Sequence, residues 1–293
     1  MIDSYPRWDQ IPISDLNGIL MIIGDTDTGK TTFARYLFKR LTFENPGMAI
    51  YLLDGDPGQS FLGPPTTITL TNTLNNSYPS HKLIFTRRYF IGSVSPRGHM
   101  IQMVVGTSKL IKTIPNLEKS IVIHDTTGLV NPALGGFALK SGMIDLLQPS
   151  TLFVFQSADE LVKLVFPYKL SGRVKLVELS VSGGISRRDR ENRKNYRQKQ
   201  YRDYFSKVYQ YELAWDKIAT FPFPDLEIHK LVAFEDQCGF TLDLGIIKTI
   251  DRTRTVINVI SPISSLVLVN ALRIGDVSLN PETFYDKLNI KDI

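Results

Sequence analysis

The residues from Gly24 to Thr31 match the pattern G-x-x-x-x-G-K-[ST], which is typical of loops that bind the phosphates of a nucleotide. An apolar run, Ile19–Ile23, precedes the match, and Phe33 and Leu37 follow it at helical spacing, so the loop joins a strand to a helix. Backbone N–H groups in such a loop point at phosphate oxygens, helped by the positive end of the helix. We therefore assign nucleotide binding to Gly24, Asp25, Thr26, Asp27, Thr28, Gly29, Lys30, Thr31 and Thr32.

Two side chains of this phosphate-binding loop carry specific chemistry. Lys30 is expected to reach the β- and γ-phosphates, and the Thr31 hydroxyl is expected to bind Mg²⁺. An ordinary glycine turn would also contain these residue types, but the strand and helix on either side favour the phosphate site.

The second group of candidate residues is the acidic string Asp54-Gly-Asp56, which follows the next apolar run, Met48–Leu53. One carboxylate could orient Mg²⁺ through water, and the other could accept the proton of an attacking hydroxyl. The alternative is an acidic turn, with Pro57-Gly58 as its turn residues.

A third group, His124-Asp125-Thr126-Thr127-Gly128, ends another apolar strand in the pattern D-x-x-G. In many phosphate-loop proteins the aspartate of this pattern supports the metal, and the glycine N–H faces the γ-phosphate. Asp125 is therefore a candidate for metal binding, whereas His124 is expected to be a core residue.

A strongly basic stretch runs from Arg187 to Arg202, with a net charge of +6 against +5 for the whole chain. Arg193 and Arg197 are four residues apart and share one face of a helix. Such arginines could bind a phosphoryl group in transfer, while neighbouring basic residues such as Arg188 could meet a nucleic-acid backbone. The alternative is a solvated basic helix.

Strand-like and helix-like runs alternate from residue 19 to residue 179, which predicts an α/β fold with a mostly parallel sheet flanked by helices. Catalytic residues should then follow the carboxyl ends of the strands. Predicted strands after the first two are 82–91, 120–124, 151–155 and 174–179, and predicted helices are 99–114, 136–147 and 159–166.

The sequence pattern changes beyond Pro222 and Pro224, where β-branched and leucine-rich runs alternate with turns. We predict a phosphate-loop domain over 1–211, with a lid at about 185–205, and a small β-rich domain over 212–293. The strands expected in the second domain are 231–235, 240–250, 255–260 and 266–269.

The composition excludes several classes of protein. Hydrophobic residues make up 43% of the 293 residues and charged residues 22%, so a packed core is expected. Cys238 is the only cysteine, which excludes an intrachain disulfide and a multi-cysteine zinc site. Apolar runs are too short to span a membrane and the first residues lack a signal-peptide pattern, so we expect a cytoplasmic protein without membrane partners.

Together these strings resemble the polynucleotide 5′-hydroxyl kinase family, whose members include a subunit of the messenger-RNA cleavage factor and the ribosomal-RNA processing kinases. The matching strings occur in the family's order: the phosphate-binding loop, Asp54-Gly-Asp-Pro-Gly-Gln59, Gly92-Ser-Val-Ser-Pro96, Thr126-Thr-Gly128, and Arg193-Lys-Asn-Tyr-Arg197. The resemblance implies transfer of a phosphoryl group from ATP, with Mg²⁺, to the 5′-hydroxyl end of RNA or DNA.

The resemblance also implies roles for single residues. Asp56 would be the base, Lys30 would neutralise phosphate charge, and Arg193 and Arg197 would be lid arginines. Thr31, Asp54 and Asp125 are the metal candidates. Candidate substrate contacts are Gln59, Ser95, Arg97, Thr126, Thr127, Gly128, Leu129 and Arg188. Several relatives have an aromatic residue at the position of Leu129, which here could supply only an apolar contact.

Three other functions fit part of the sequence. A scaffold or regulatory ATPase would bind the nucleotide and transfer little phosphate. A GTPase switch would use the D-x-x-G pattern, but the chain has no N-K-x-D string for reading guanine. A kinase for a small metabolite would not need the local charge of +6. Protein partners are not predicted.

Overall fold

The computed structural model describes residues 8–72, 85–156, 158–181 and 189–288. Contacts group the chain into two compact units. The first comprises Met1–Asp56, Thr69–Thr86 and Met100–Arg187, and the second comprises Pro57–Ile68, Arg87–His99 and Arg188–Ile293. The domain boundary expected between residues 211 and 212 stays a prediction.

The elements up to residue 180 are, in chain order, β1 (Gly18–Gly24), α1 (Lys30–Glu44), β2 (Ala49–Gly55), β3 (Thr67–Asn72), β4 (Phe85–Phe90), α2 (Met100–Ile111), β5 (Ser120–Thr126), α3 (Gly136–Leu147), β6 (Thr151–Gln156), α4 (Val162–Ser171) and β7 (Lys175–Ser180). They are followed by α5 (Arg190–Tyr204), β8 (Tyr209–Ala214), β9 (Ala219–Phe221), β10 (Lys230–Glu235), β11 (Thr241–Asp251), β12 (Val256–Ser261), β13 (Ala271–Leu279) and β14 (Asp286–Leu288).

The sheet of the first unit has the strand order β3–β2–β5–β1–β6–β7. Its strands run parallel except β3, which is antiparallel to β2. Parallel strands are covered on both faces and therefore consist of continuous apolar runs. Leu20 to Ile23 of β1 are all 0% exposed, which shows this burial directly. The predicted α/β fold with a mostly parallel sheet is confirmed.

Helices cover both faces of this sheet. Asp125 and Thr126 are consecutive residues of β5, so their side chains point to opposite faces. Asp125 bonds to Thr31 of α1, whereas Thr126 bonds to Lys140 of α3. The two helices therefore lie on opposite sides of the strand that ends at the candidate site.

The second unit is rich in antiparallel strands, with the order β14–β13–β10–β11–β4; β12 pairs with β11 and β8, and β9 runs parallel to β13. Alternate residues of β10 point to two apolar clusters. Val232 and Phe234 belong to one, and Leu231 and Ala233 belong to the other. Tyr201 and Phe205, at the end of α5 and just after it, pack into the cluster of Leu231.

Most predicted elements are present, and the differences have local causes. No strand was predicted at β3, whose Thr-rich sequence lacks an apolar run. The helix predicted over 159–166 begins at Val162 and continues to Ser171. The strand predicted over 266–269 is wrong, because these residues form a turn in which Val267 is 89% exposed, and β13 begins only at Ala271. Within the described residues, no helix has the length and apolar character needed to cross a membrane.

Candidate functional site

The phosphate-binding loop links β1 to α1, as the sequence predicted. Gly29 precedes the helix with φ of 94°, in the left-handed region that favours glycine. Gly24 is the last residue of β1. A Cβ atom added at Gly24 would lie 2.7 Å from the carbonyl oxygen of Phe155 and 2.9 Å from Thr28 Oγ1. Both glycines of the motif are therefore required by the geometry of the loop.

Lys30 is buried inside this loop, with 7% of its surface exposed. Its Nζ donates to the carbonyl oxygen of Asp25, and Thr28 Oγ1 lies 3.5 Å away. Burial lowers the pKa of Lys30, and the charges of Asp125 and Asp56 oppose that shift. The structure thus places a buried lysine side chain inside the loop.

Thr31 and Asp125, two of the residues expected to bind Mg²⁺, are in direct contact. Thr31 Oγ1 donates to Asp125 Oδ2 at 2.6 Å. Asp125 Oδ1 is buried and has no hydrogen-bond partner among the described residues. Burial raises the pKa of Asp125 to about 6, while Lys30 and the bond from Thr31 act in the opposite direction.

These residues fit Mg²⁺ bound together with a nucleotide. A hydroxyl and a carboxylate oxygen are ligands or water-orienting groups that Mg²⁺ accepts, and phosphates and water usually complete its octahedron. Within the described ranges, no group of three or more His, Cys, Asp or Glu could hold a metal ion alone.

Asp54 lies near the end of β2, and Asp56 directly follows the strand. Asp54 is the direct neighbour of Asp125 in the β2–β5 ladder and is fully buried. The backbone N–H of Asp56 lies 3.4 Å from Asp54 Oδ1. Asp56 is partly exposed, and its charge acts on Lys30. Of the two carboxylates, Asp56 is thus the one that is partly exposed, and it is the residue expected to be the base.

We call Thr126–Leu129 the clasp segment. Thr126 Oγ1 donates to the carbonyl oxygen of Ile22 at 2.7 Å. At Gly128, a Cβ atom would lie 2.7 Å from the backbone nitrogen of Thr26 and 2.5 Å from its Cγ2. The clasp segment therefore lies directly against the phosphate-binding loop, with Leu129 partly exposed beyond it.

Lys140 is a residue of this site that the sequence interpretation missed. It is 0% exposed, and its Nζ donates to Thr126 Oγ1 at 2.7 Å and to the carbonyl oxygen of Thr127 at 2.6 Å. Its position on α3 is the available signal, because Leu139 and Met143 on the same face are apolar and buried. A lysine on an apolar helix face needs a specific partner.

His124 is a core residue, as expected, but its environment is unusual. It is fully buried, and within the described residues neither ring nitrogen has a hydrogen-bond partner. Burial and the charge of Lys140 lower the pKa of His124 to about 3, so the ring is neutral.

The second unit holds the remaining predicted residues. Arg197 Nε donates to Asp286 Oδ2 at 2.6 Å and its Nη2 to Asp286 Oδ1 at 3.2 Å. Tyr196 and Gln200 donate to the carbonyl oxygen of Ser60, next to Gln59. Ser95 Oγ accepts from the backbone N–H of Arg97 at 3.2 Å. The helix that carries Arg193 is thus fixed at several points, and Arg188 falls outside the described residues.

Residues 24–207 match the family described as mRNA cleavage and polyadenylation factor CLP1 P-loop. The match begins at the phosphate-binding loop and runs through the clasp segment to the end of α5. The chain belongs to the CLP1 P-loop family. This membership confirms the resemblance to polynucleotide 5′-hydroxyl kinases that the motifs suggested.

The names of similar proteins are consistent with this family. A protein of Methanocaldococcus jannaschii named polyribonucleotide 5′-hydroxyl-kinase is 30% identical over 192 residues, which cover 65% of the chain and 51% of that relative. A protein of Pyrococcus abyssi with the same kinase name is 26% identical over 321 residues, which cover 90% of the chain and 88% of that relative. The match thus spans about half the length of the first relative.

A solved structure shows the same fold. Clp1p, in a complex with Pcf11p, superposes with a TM-score of 0.66 at 14% identity, covering 93% of the chain and 77% of Clp1p. The CLP1 P-loop protein described here therefore shares the fold of Clp1p.

Proposed function

We propose that this protein is an ATP-dependent polynucleotide 5′-hydroxyl kinase. The observation that carries the proposal is the bond of 2.6 Å between Thr31 Oγ1 and Asp125 Oδ2 beside the buried Lys30, with Asp56 at the end of the neighbouring strand. Phosphoryl transfer needs a phosphate cradle, a cation and a base in one place, and we assign these roles to the phosphate-binding loop, Lys30 and Asp56 of the first unit.

In this proposal the phosphate-binding loop holds ATP, and Lys30 neutralises charge on the β- and γ-phosphates. Thr31, Asp125 and Asp54 would hold Mg²⁺ directly or through water. When bound, Mg²⁺ supplies positive charge that stabilises the phosphates in the transition state.

Asp56 takes the proton from the terminal 5′-hydroxyl. The hydroxyl oxygen then forms a bond to the γ-phosphorus while the bond from that phosphorus to the β,γ-bridging oxygen breaks, which releases ADP. Asp56 suits this role because it is the partly exposed carboxylate of the Asp54–Asp56 pair.

We assign Arg193 and Arg197 to the transferring phosphoryl group. An arginine has five N–H donors. Arg197 donates two hydrogen bonds to Asp286 and one to the carbonyl oxygen of Arg193. Among the residues that the structure describes, these are the hydrogen-bond partners of Arg197, and we assign its other N–H donors to a phosphate while Asp286 orients the guanidinium. Gln59, Ser95, Arg97 and Arg188 are assigned to the nucleic-acid strand, together with the clasp segment.

A polymeric acceptor is supported by the names of the relatives and by the charge of +6 between Arg187 and Arg202. A phosphate backbone attracts such a stretch. We therefore take RNA or DNA with a 5′-hydroxyl end as the acceptor class.

The test incubates the protein with Mg²⁺, γ-labelled ATP and four oligonucleotides, which are single- and double-stranded RNA and DNA with 5′-hydroxyl ends. We expect label on at least one oligonucleotide and none on the same oligonucleotide that already carries a 5′-phosphate. Tight ATP binding without transfer to any of the four would instead favour the nucleotide-binding scaffold.

A further inference from the structure

Lys140 is a buried lysine that the proposed chemistry does not use. It lies on the face of α3 that also carries Leu139, Met143 and Ile144, all buried. Burial, followed by repulsion from Lys30, lowers the pKa of Lys140 to about 7. An apolar side chain would fill this position without the cost of removing an ammonium from water, so the polar contacts of Lys140 need an explanation.

Those contacts are directed at one segment. Lys140 Nζ donates to Thr126 Oγ1 at 2.7 Å and to the carbonyl oxygen of Thr127 at 2.6 Å. The Thr126 hydroxyl in turn donates a hydrogen bond to the carbonyl oxygen of Ile22 at 2.7 Å. The result is a chain of hydrogen bonds from α3, through the clasp segment, to the end of β1.

The anchored segment leads directly to the phosphate-binding loop. Gly128 is one residue beyond Thr127, and its Cα approaches Thr26 so closely that a Cβ atom would overlap the loop backbone at 2.7 Å. A shift of the backbone at Thr127 therefore changes the spacing between the clasp segment and the loop. Lys140 itself does not need to reach the nucleotide for this effect, because two of its three N–H donors are already bonded within the protein.

We propose that Lys140 is a positioning residue for the acceptor: it fixes the clasp segment against the phosphate-binding loop, so that the 5′-hydroxyl end meets the γ-phosphate in line. This inference rests on the proposed kinase function. It predicts that replacing Lys140 weakens the positioning of the acceptor strand and leaves the binding of ATP unchanged.

The test compares the whole protein with three variants. Lys140→Met keeps the length of the side chain and removes its donors, and Lys140→Gln keeps two donors without the charge. Lys112→Met makes the same chemical change at an exposed position and serves as the matched control. The measurements are kcat, KM for the oligonucleotide, Kd for ATP, and hydrogen exchange of the amides of the clasp segment.

For Lys140→Met we expect KM for the oligonucleotide to rise by about tenfold to a hundredfold with a lower kcat, since two hydrogen bonds that hold the clasp segment are lost. Kd for ATP should not change, and the clasp amides should exchange faster while those of α1 keep their protection. Lys140→Gln should fall between Lys140→Met and the wild type, and Lys112→Met should match the wild type.

The inference is overturned if Lys140→Met has the kcat, oligonucleotide KM and clasp exchange of the wild type, or if only Kd for ATP changes. If Lys140→Met does not fold, the same comparison with Lys140→Gln decides. If the wild type transfers no phosphate to any oligonucleotide, the proposed function fails, and clasp exchange alone still decides whether Lys140 holds the segment.

Discussion

Asp56 is the side chain on which the proposed proton transfer depends. Asp56→Asn keeps the size of the residue and removes its ability to accept a proton, so kcat should fall by about 10² to 10⁴-fold. Binding of ATP should persist, because the loop, Lys30 and Thr31 are unchanged. A steady-state assay with a 5′-hydroxyl oligonucleotide measures this, and turnover close to that of the wild type would transfer the role of base to Asp54.

The structural effect of the Arg197–Asp286 pair can be separated from the catalytic role that we propose for Arg197. Their side chains are 15% and 4% exposed. Removing either partner leaves a buried charge, so Arg197→Ala and Asp286→Ala should each lower the free energy of unfolding by about 3 kcal/mol or more.

Only the catalytic assignment predicts that Arg197→Ala also lowers kcat well below the value of Asp286→Ala, since Asp286 orients the arginine but does not bind phosphate. Equal kcat for the two variants, alongside equal loss of stability, would show that Arg197 serves only to hold α5.

At the scale of elements, the close approach of the clasp segment to the phosphate-binding loop can be tested with two glycines. Gly128→Ala would place a Cβ atom 2.7 Å from the backbone of Thr26, and should destabilise the protein by about 1–3 kcal/mol and lower kcat. Gly142→Ala is the matched control, because it lies on α3 with no atom within 4 Å of its Cβ position.

Gly142→Ala should instead stabilise the helix by about 0.5–1 kcal/mol, since alanine favours a helix over glycine. Thermal unfolding and kcat of both variants give the comparison. A Gly128→Ala variant as stable and active as the Gly142→Ala variant would contradict the contact between clasp and loop.

The loop before α2 is held by His99, whose Nε2 lies 2.8 Å from Asp276 Oδ2. Burial acts against the charged ring, but the bonds to Asp276 and to the carbonyl oxygen of Arg97, with the charge of Asp276, raise the pKa of His99 overall. The charged ring is therefore favoured by folding. Its stabilisation is complete below the unfolded pKa of about 6.5 and is lost as pH rises through the higher folded pKa.

His99→Gln should thus reduce the free energy of unfolding most at about pH 6, and this difference should shrink towards pH 9. Denaturant titrations of the wild type and the variant across this range measure it. Asp276→Asn should show the same trend, and a difference that grows with pH would have the wrong sign for this pair.

Local patterns predicted the elements that carry most of the site. The phosphate-binding loop and the ends of β2 and β5 follow apolar runs that parallel strands require, so Lys30, Asp56 and Asp125 could be placed from sequence. The run Leu266–Val269 gave a false strand, because hydrophobicity does not reveal which side chains are covered. Leu266 and Val269 pack against the core, whereas Val267 and Leu268 are exposed.

At the scale of the whole molecule, contacts between distant parts of the chain could not be predicted. Arg197 and Asp286 are 89 residues apart, and Thr31 and Asp125 are 94 residues apart. For Thr31 and Asp125, the sequence indicated only that both are candidates to bind one metal ion, and it did not indicate their direct contact. Lys140 was missed because the fold alone brings α3 to the end of β5, although its place on an apolar helix face was visible.

The most direct test of the account measures both products of one reaction. The protein is incubated with Mg²⁺ and ATP, with and without a 5′-hydroxyl oligonucleotide, and ADP and the oligonucleotide mass are followed together. The account predicts one ADP for each phosphate gained, with that phosphate on the 5′-terminal nucleotide and little ADP in the absence of the strand. Formation of ADP at the same rate without the oligonucleotide, or a strand whose mass never changes, would contradict it.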